Sequence, residues 1–156
     1  MQIHEEPVLK EVKPINFLFF RTETNMGGLS NLIPVAKALF REAVNNDLHI
    51  TGPVQWHYFG FTGIEDQSFT LEIALPVDRV VEGYDGIFHF KRTENFRSAS
   101  IVHEGSWSDM GRSYERLMKF MEQKKLQPSA VSREVYLNAD FVHPEANMTE
   151  IQIGIN

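Results

Sequence analysis

Cysteine is absent from the 156 residues. That excludes a disulfide, a thiolate nucleophile and a thiolate metal site. No apolar run approaches the roughly 18 residues of a membrane helix; Ile15-Asn16-Phe17-Leu18-Phe19-Phe20 is short and strand-like. Met1 to Lys10 lacks the apolar centre of a secretory signal, so the expected address is cytoplasmic, without membrane contact. The Asn147-Met148-Thr149 sequon is then inert. Basic charge is also short: 15 Lys and Arg face 21 Asp and Glu, for a net charge of −6. The basic residues are scattered, and direct binding of nucleic acid is not expected. The six His, at 4, 49, 57, 89, 103 and 143, show no H-E-x-x-H or other ligand spacing. Neither a metal site nor a cofactor is expected.

What is present suits one ordinary globular domain. Hydrophobic residues make up 42% and charged residues 23%, enough for a core and too apolar for disorder. Sliding the chain on itself by half its length aligns Gly27 with Gly105, Leu39 with Leu117, Tyr58 with Tyr136 and Glu72-Ile73 with Glu150-Ile151. The order of element types repeats in the same way, and that order carries the argument. Strands are predicted at 17–24 and 96–103, each followed by a Gly-containing turn. Helices follow over about 31–46 and 109–125, capped by Ser30 and Ser108, with apolar stripes at i, i+3, i+4 spacing. Two more strands close each half, at 54–61 and 69–75, then 132–137 and 148–155. Residues 79–92 join the halves and end in an opening strand at 87–91, whose counterpart is 8–12. The prediction is an α+β domain over 1–156, built from internal repeats of about 1–78 and 79–156, with an antiparallel sheet, two main helices and a groove between the halves.

Glu134 stands out because glutamate is disfavoured in mid-strand. If Val135 and Leu137 face the main core, Glu134 and Tyr136 share the other face, which alternation alone assigns to solvent. The two-fold sets Glu134 opposite Trp56 and Tyr136 opposite Tyr58. A groove that gathers Trp56, Tyr58, Tyr136 and one carboxylate suits an organic cation, since aromatic faces attract positive charge. Trp107, at a strand-to-helix turn, is a candidate wall, though burial in the core explains it fully; Tyr114, Met110 and Met118 on the second helix stripe are candidates too, with core packing the stronger reading for all three. Phe20 joins the candidates by symmetry. His103 and Glu104 are adjacent on a strand and point apart, which argues against joint acid–base action. Glu65 and Asp66 read as a solvated turn.

The segments Val102-His103-Glu104-Gly105-Ser106-Trp107, Arg133-Glu134-Val135-Tyr136-Leu137 and Thr149-Glu150-Ile151-Gln152-Ile153 resemble the GyrI-like small-molecule-binding domain, the effector-binding domain of drug-responsive bacterial regulators. In the first half, Ile50-Thr51-Gly52-Pro53 and Leu71-Glu72-Ile73-Ala74-Leu75-Pro76-Val77 agree with it. The resemblance implies tandem strand-helix-strand-strand modules and an aromatic pocket for lipophilic cations. It makes Glu134 the charge reader, with Tyr136 beside it and Trp107 in the wall. The regulators carry a helix-turn-helix domain ahead of this one, whereas the resemblance here covers nearly the whole chain. The expectation is a stand-alone form that senses or sequesters a drug or toxin, more a binder than an enzyme. Two alternatives stay open: hydrolysis of reactive cyclopropane-containing compounds by the same Glu134, or a protein-interaction module such as a gyrase inhibitor. A haem protein of related fold ranks last, because no His is placed on a helix. The oligomeric state is left open.

Overall fold

The computed structural model describes residues 6–156; His4 and the rest of Met1–Glu5 lie outside the described residues. Eight strands and two α-helices form in the order β1 (Val8–Val12), β2 (Asn16–Thr24), α1 (Val35–Asn45), β3 (Gln55–Phe59), β4 (Phe69–Val77), β5 (His89–Arg92), β6 (Phe96–Glu104), α2 (Met110–Gln123), β7 (Pro128–Asn138) and β8 (Met148–Ile155). All strands join one antiparallel sheet of order β1-β6-β8-β7-β3-β4-β2-β5. Exchanging β1–β4 for β5–β8 turns this order into its own reverse. Each opening strand, β1 or β5, pairs with β6 or β2 of the other half and becomes an edge of the sheet. The centre is the β3–β7 pair, in which Trp56 lies opposite Glu134.

The helices depart from expectation at their starts. Pro34 has no N–H to offer and cannot sit in a helix interior. So α1 begins only at Val35, and Met26–Leu32 is a 3₁₀ helix capped by Asn25, whose side chain accepts from the Gly28 N–H at 3.1 Å. Ser30 is no cap. Before α2, Trp107–Asp109 forms a 3₁₀ turn in which Ser106, not Ser108, supplies the capping oxygen. The exits of the two helices match. Leu48 N–H bonds Ala43 O at 2.9 Å and Leu126 N–H bonds Met121 O at 2.8 Å. Asp47 and Lys125, each at φ 55, make these two turns.

Both helices pack on one face of the sheet. Under α1 lies a core of Leu18, Leu39, Ala43, Leu71, Ile73 and Leu75; under α2 lie Ala99, Ile101, Leu117, Met121, Ile151 and Ile153. The separation of these two clusters leaves room between the helices. His103 ties α2 to β6, with Nδ1 2.7 Å from Ser113 Oγ and Nε2 2.9 Å from Ser106 O, while Glu104 stays exposed.

Among the described residues no helix covers the opposite face, yet it is buried and polar. A ladder of Ser100, Gln152, Arg133, His57 and Glu72 crosses it, all five buried. Curvature explains this. Lys91 on β5 brings its Nζ to 3.1 Å from His57 Nδ1 on β3. The two strands are three places apart, about 14 Å on a flat sheet. The sheet therefore curls around this face. Lys91 crosses over the Phe17, Phe19 and Phe59 rings at 5.0–5.6 Å to reach Glu72, which Arg21 also binds. The His57 imidazole is held well below its usual range by burial and by Lys91 and Arg133 nearby, and so stays neutral.

Candidate functional site

A cavity of about 870 Å³ opens between the two helices above the β3–β7 pair. Its size lies in the range of drug-sized ligand sites. Ile33 just ahead of α1, with Ala36 and Phe40 on it, forms one wall; Trp107 from the 3₁₀ turn and Met110 at the start of α2 form the other, and Phe141 from the β7–β8 loop reaches the rim. The floor is the sheet, presenting Trp56, Tyr58, Glu134 and Tyr136. An edge-to-face chain of rings runs from rim to floor: Phe141 to Trp107 at 5.3 Å, Trp107 to Tyr136 at 5.8 Å, and Tyr136 to Trp56 at 6.0 Å. The Trp107 indole N–H donates to Thr149 Oγ1 at 3.1 Å, which fixes the ring against β8.

Glu134 is 5% exposed and faces the helices, so it is neither on the surface nor opposite the core. Its strand neighbour Val135 points into the curled face and Leu137 is 46% exposed. The alternation that pairs Glu134 with Tyr136 holds; the assignment of that face to solvent does not. Three phenols hold the carboxylate. Tyr58 and Tyr136 donate to Oε1 at 3.0 and 2.6 Å, and Tyr114 donates to Oε2. No Lys, Arg or His forms an ion pair with Glu134 among the described residues. Burial pushes the Glu134 pKa above its usual range, and the three phenol hydrogen bonds offset part of that rise. The three tyrosines are held well above their ordinary range by burial and by the Glu134 charge, so they act as donors. The arrangement is a hydrogen-bonded carboxylate in an apolar, aromatic-walled space. Such a group gains from a positive partner that need not supply further hydrogen bonds.

Of the residues singled out in the sequence, Trp56, Tyr58, Trp107, Met110, Glu134 and Tyr136 line the cavity. Tyr114 reaches the site from α2 through Glu134. Phe20 does not line it; its ring packs in the α1 core, 6.4 Å from the Phe88 ring. Met118 turns outward and is 45% exposed. The sequence reasoning misses the α1 wall. Ile33 just ahead of α1 and Ala36, Lys37 and Phe40 on it lie at helical spacing beside the buried Leu39 and Ala43, and apolar periodicity alone puts Ala36 and Phe40 in one core stripe with them. Phe141 sits in a loop, where no periodicity marks it. Among the described residues, no group of three or more His, Asp or Glu side chains could hold a metal ion, and no helix is long and apolar enough to cross a membrane.

The fold and cavity define a small-molecule-binding α+β domain. The chain belongs to the GyrI-like small molecule binding domain family, whose pattern it matches over residues 5–156. Among solved structures, it is similar to the EcmrR C-terminal domain at 18% identity, covering 99% of each chain with a TM-score of 0.80. It also matches EcmrR from a DNA complex at 17% identity, covering 97% of this chain and 57% of that one with a TM-score of 0.82, so it spans little more than half of that protein. SAV2435 bound to tetraphenylphosphonium matches at 16% identity, over 97% of this chain and 94% of that one, with a TM-score of 0.63. No curated protein matches the chain. At these identities the structural likenesses speak for the fold.

Proposed function

We propose that this protein binds lipophilic organic cations in the cavity between its helices, with Glu134 as the charge partner and Trp56, Trp107 and Tyr136 as the aromatic walls. The observation that carries the reading is the Glu134 carboxylate, buried among three neutral phenols with no cationic side chain bound to it among the described residues. A buried charge without a counter-charge is costly, and a ligand that brings the opposite charge offsets that cost on binding. That SAV2435 is bound to tetraphenylphosphonium in its structure supports this class of ligand. The role that follows is sensing or sequestration of a toxic or drug-like cation in the cytoplasm.

Titration with tetraphenylphosphonium, read by fluorescence of Trp56 and Trp107, tests the reading. Saturable quenching in the wild type, lost in Glu134→Gln and absent with neutral tetraphenylmethane analogues, is the expected result. Equal binding by Glu134→Gln would remove Glu134 from charge recognition. A second reading rests on the raised Glu134 pKa, which also suits a general base that takes a proton from a water attacking a bound electrophile. Some similar folds are described as hydrolases, including one from Listeria innocua at 15% identity. Recovery of the ligand unchanged after prolonged incubation would speak for binding alone.

A further inference from the structure

The cavity holds a second charge, of the opposite sign and at a different depth. Lys37 lines the α1 wall yet is exposed, so it sits where the cavity meets solvent, whereas Glu134 is buried at the floor. No carboxylate pairs with Lys37 among the described residues. Nor does helix stability explain the residue. Lys37 lies in the first turn of α1, which carries no acidic residue, and a cation is disfavoured at that end of a helix. A simple cation seated on Glu134 would gain nothing from this ammonium and would be repelled by it.

We infer that the site selects amphoteric ligands, with a lipophilic cation that seats on Glu134 and an anionic group at the far end that pairs with Lys37. This rests on the cation-binding reading and narrows it. The walls between the two charges are apolar and aromatic, from Trp56, Trp107, Ile33 and Phe40. The ligand that fits carries a rigid or hydrocarbon body between its charges. Lys37 is a specificity-determining residue in this scheme and Glu134 the anchor. Dications with both charges spread along the body are disfavoured by the same geometry.

The test uses two phosphoniums that differ only at the tail. (4-Carboxybutyl)triphenylphosphonium is a zwitterion at pH 7.5, and its methyl ester is a plain cation. Isothermal titration should show the wild type binding the carboxylate about three- to fivefold tighter than the ester, the scale of a solvent-accessible ion pair. Lys37→Met should equalise the two ligands and Lys37→Glu should reverse the preference; both changes are at an exposed position and leave the core alone. Glu134→Gln should weaken both ligands alike. If the wild type binds the ester as tightly as the carboxylate, or if the preference survives Lys37→Met, the amphoteric assignment is overturned. If both ligands bind equally and Glu134→Gln still weakens them, cation binding stands without it. If neither binds, both readings fall together.

Discussion

The sheet buries carboxylates on both of its faces and treats them in opposite ways. On the curled face, Glu150 accepts from Lys10 Nζ at 2.7 Å, Ser100 Oγ at 2.8 Å and Gln152 Nε2 at 3.0 Å. Burial alone would raise its pKa, but these hydrogen bonds outweigh that and hold it below the usual range. Glu72, at the matching place in the other half, binds Lys91 and Arg21. On the helix face, Glu134 has as many hydrogen bonds as Glu150 but no cation, and its pKa is raised. Hydrogen bonding is therefore satisfied at both places; Glu134 is the more deeply buried of the two, and only Glu150 has a cation beside it. An ion pair of the first kind belongs to the fold. A satisfied but unbalanced carboxylate beside an 870 Å³ cavity is the feature on which the proposed cation binding rests.

The sharpest way to break this contrast is to remove a carboxylate from the curled face. Glu72→Leu would leave Lys91, 22% exposed, and the buried Arg133 without their nearest negative charge. Burial already pulls the Arg133 pKa down to about 10, with the Glu72 charge pulling it back up. Orphaned buried cations cost about 3–5 kcal/mol, so urea denaturation should show a loss of that order. Any folded fraction should still bind tetraphenylphosphonium.

Glu134→Gln should do the reverse. Cation affinity should fall by about 2–3 kcal/mol, some 30- to 160-fold, while stability at neutral pH should hold or rise. The sign follows from the raised pKa: the contribution of Glu134 to stability is full below its unfolded value of 4.5 and is lost as pH rises through the higher folded value. Cation affinity runs the other way and should climb with pH over the same interval, because the ionised form recruits the ligand. A flat pH profile between 4.5 and 8 would deny that Glu134 reads the charge.

Tyr114→Phe removes the phenol that donates to Oε2. A hydrogen bond to a charged group contributes about 1.5–3 kcal/mol. Its loss should move the pH midpoint of cation binding upward, so affinity falls most at the acid end of the titration and recovers as the pH rises. Unchanged pH dependence would show that the phenols position the carboxylate without tuning it.

How much of this is legible in the sequence depends on what periodicity can report. Alternation along 148–155 places β8 at its observed bounds, and the same period of two puts Glu134 and Tyr136 on one face. Periodicity does not say what covers a face. Alternation reads the Glu134 and Tyr136 side of β7 as solvent, but the helices cover that side, and the curl of the sheet, which nothing in the chain announces, buries the other. His57, Arg133, Gln152 and Glu72 are buried by that curl, and each looks like a surface residue in its own strand. The α1 start goes astray for a local reason, Pro34, which overrides a favourable apolar stripe. Phe20 goes astray because symmetry along a strand fixes a face and not a depth. Lys37 and Phe141 are visible only once the helices have been set over the sheet, since both join the site from elements whose placement is tertiary.

The smallest predicted effect sharpens the comparison most directly. Lys10 gives Glu150 its cation, but its side chain is 44% exposed, against 11% for Glu150. Solvent screens such a pair, so Lys10→Met should cost only about 0.5–1 kcal/mol at pH 7. The pH dependence is the informative part. A lowered folded pKa makes a contribution that is present above 4.5 and is lost as pH falls through the folded value. The advantage of wild type over Lys10→Met, followed by thermal melts, should therefore grow as the pH is raised, while over the same rise wild type should lose ground to Glu134→Gln. Two buried glutamates on one sheet would then show opposite stability profiles, one because a lysine balances it and the other because no residue of the fold does. If wild type gained on both variants, or lost to both, as the pH rose, the difference between the faces would lie in packing and not in charge, and the cavity would lose its strongest claim to a cationic ligand.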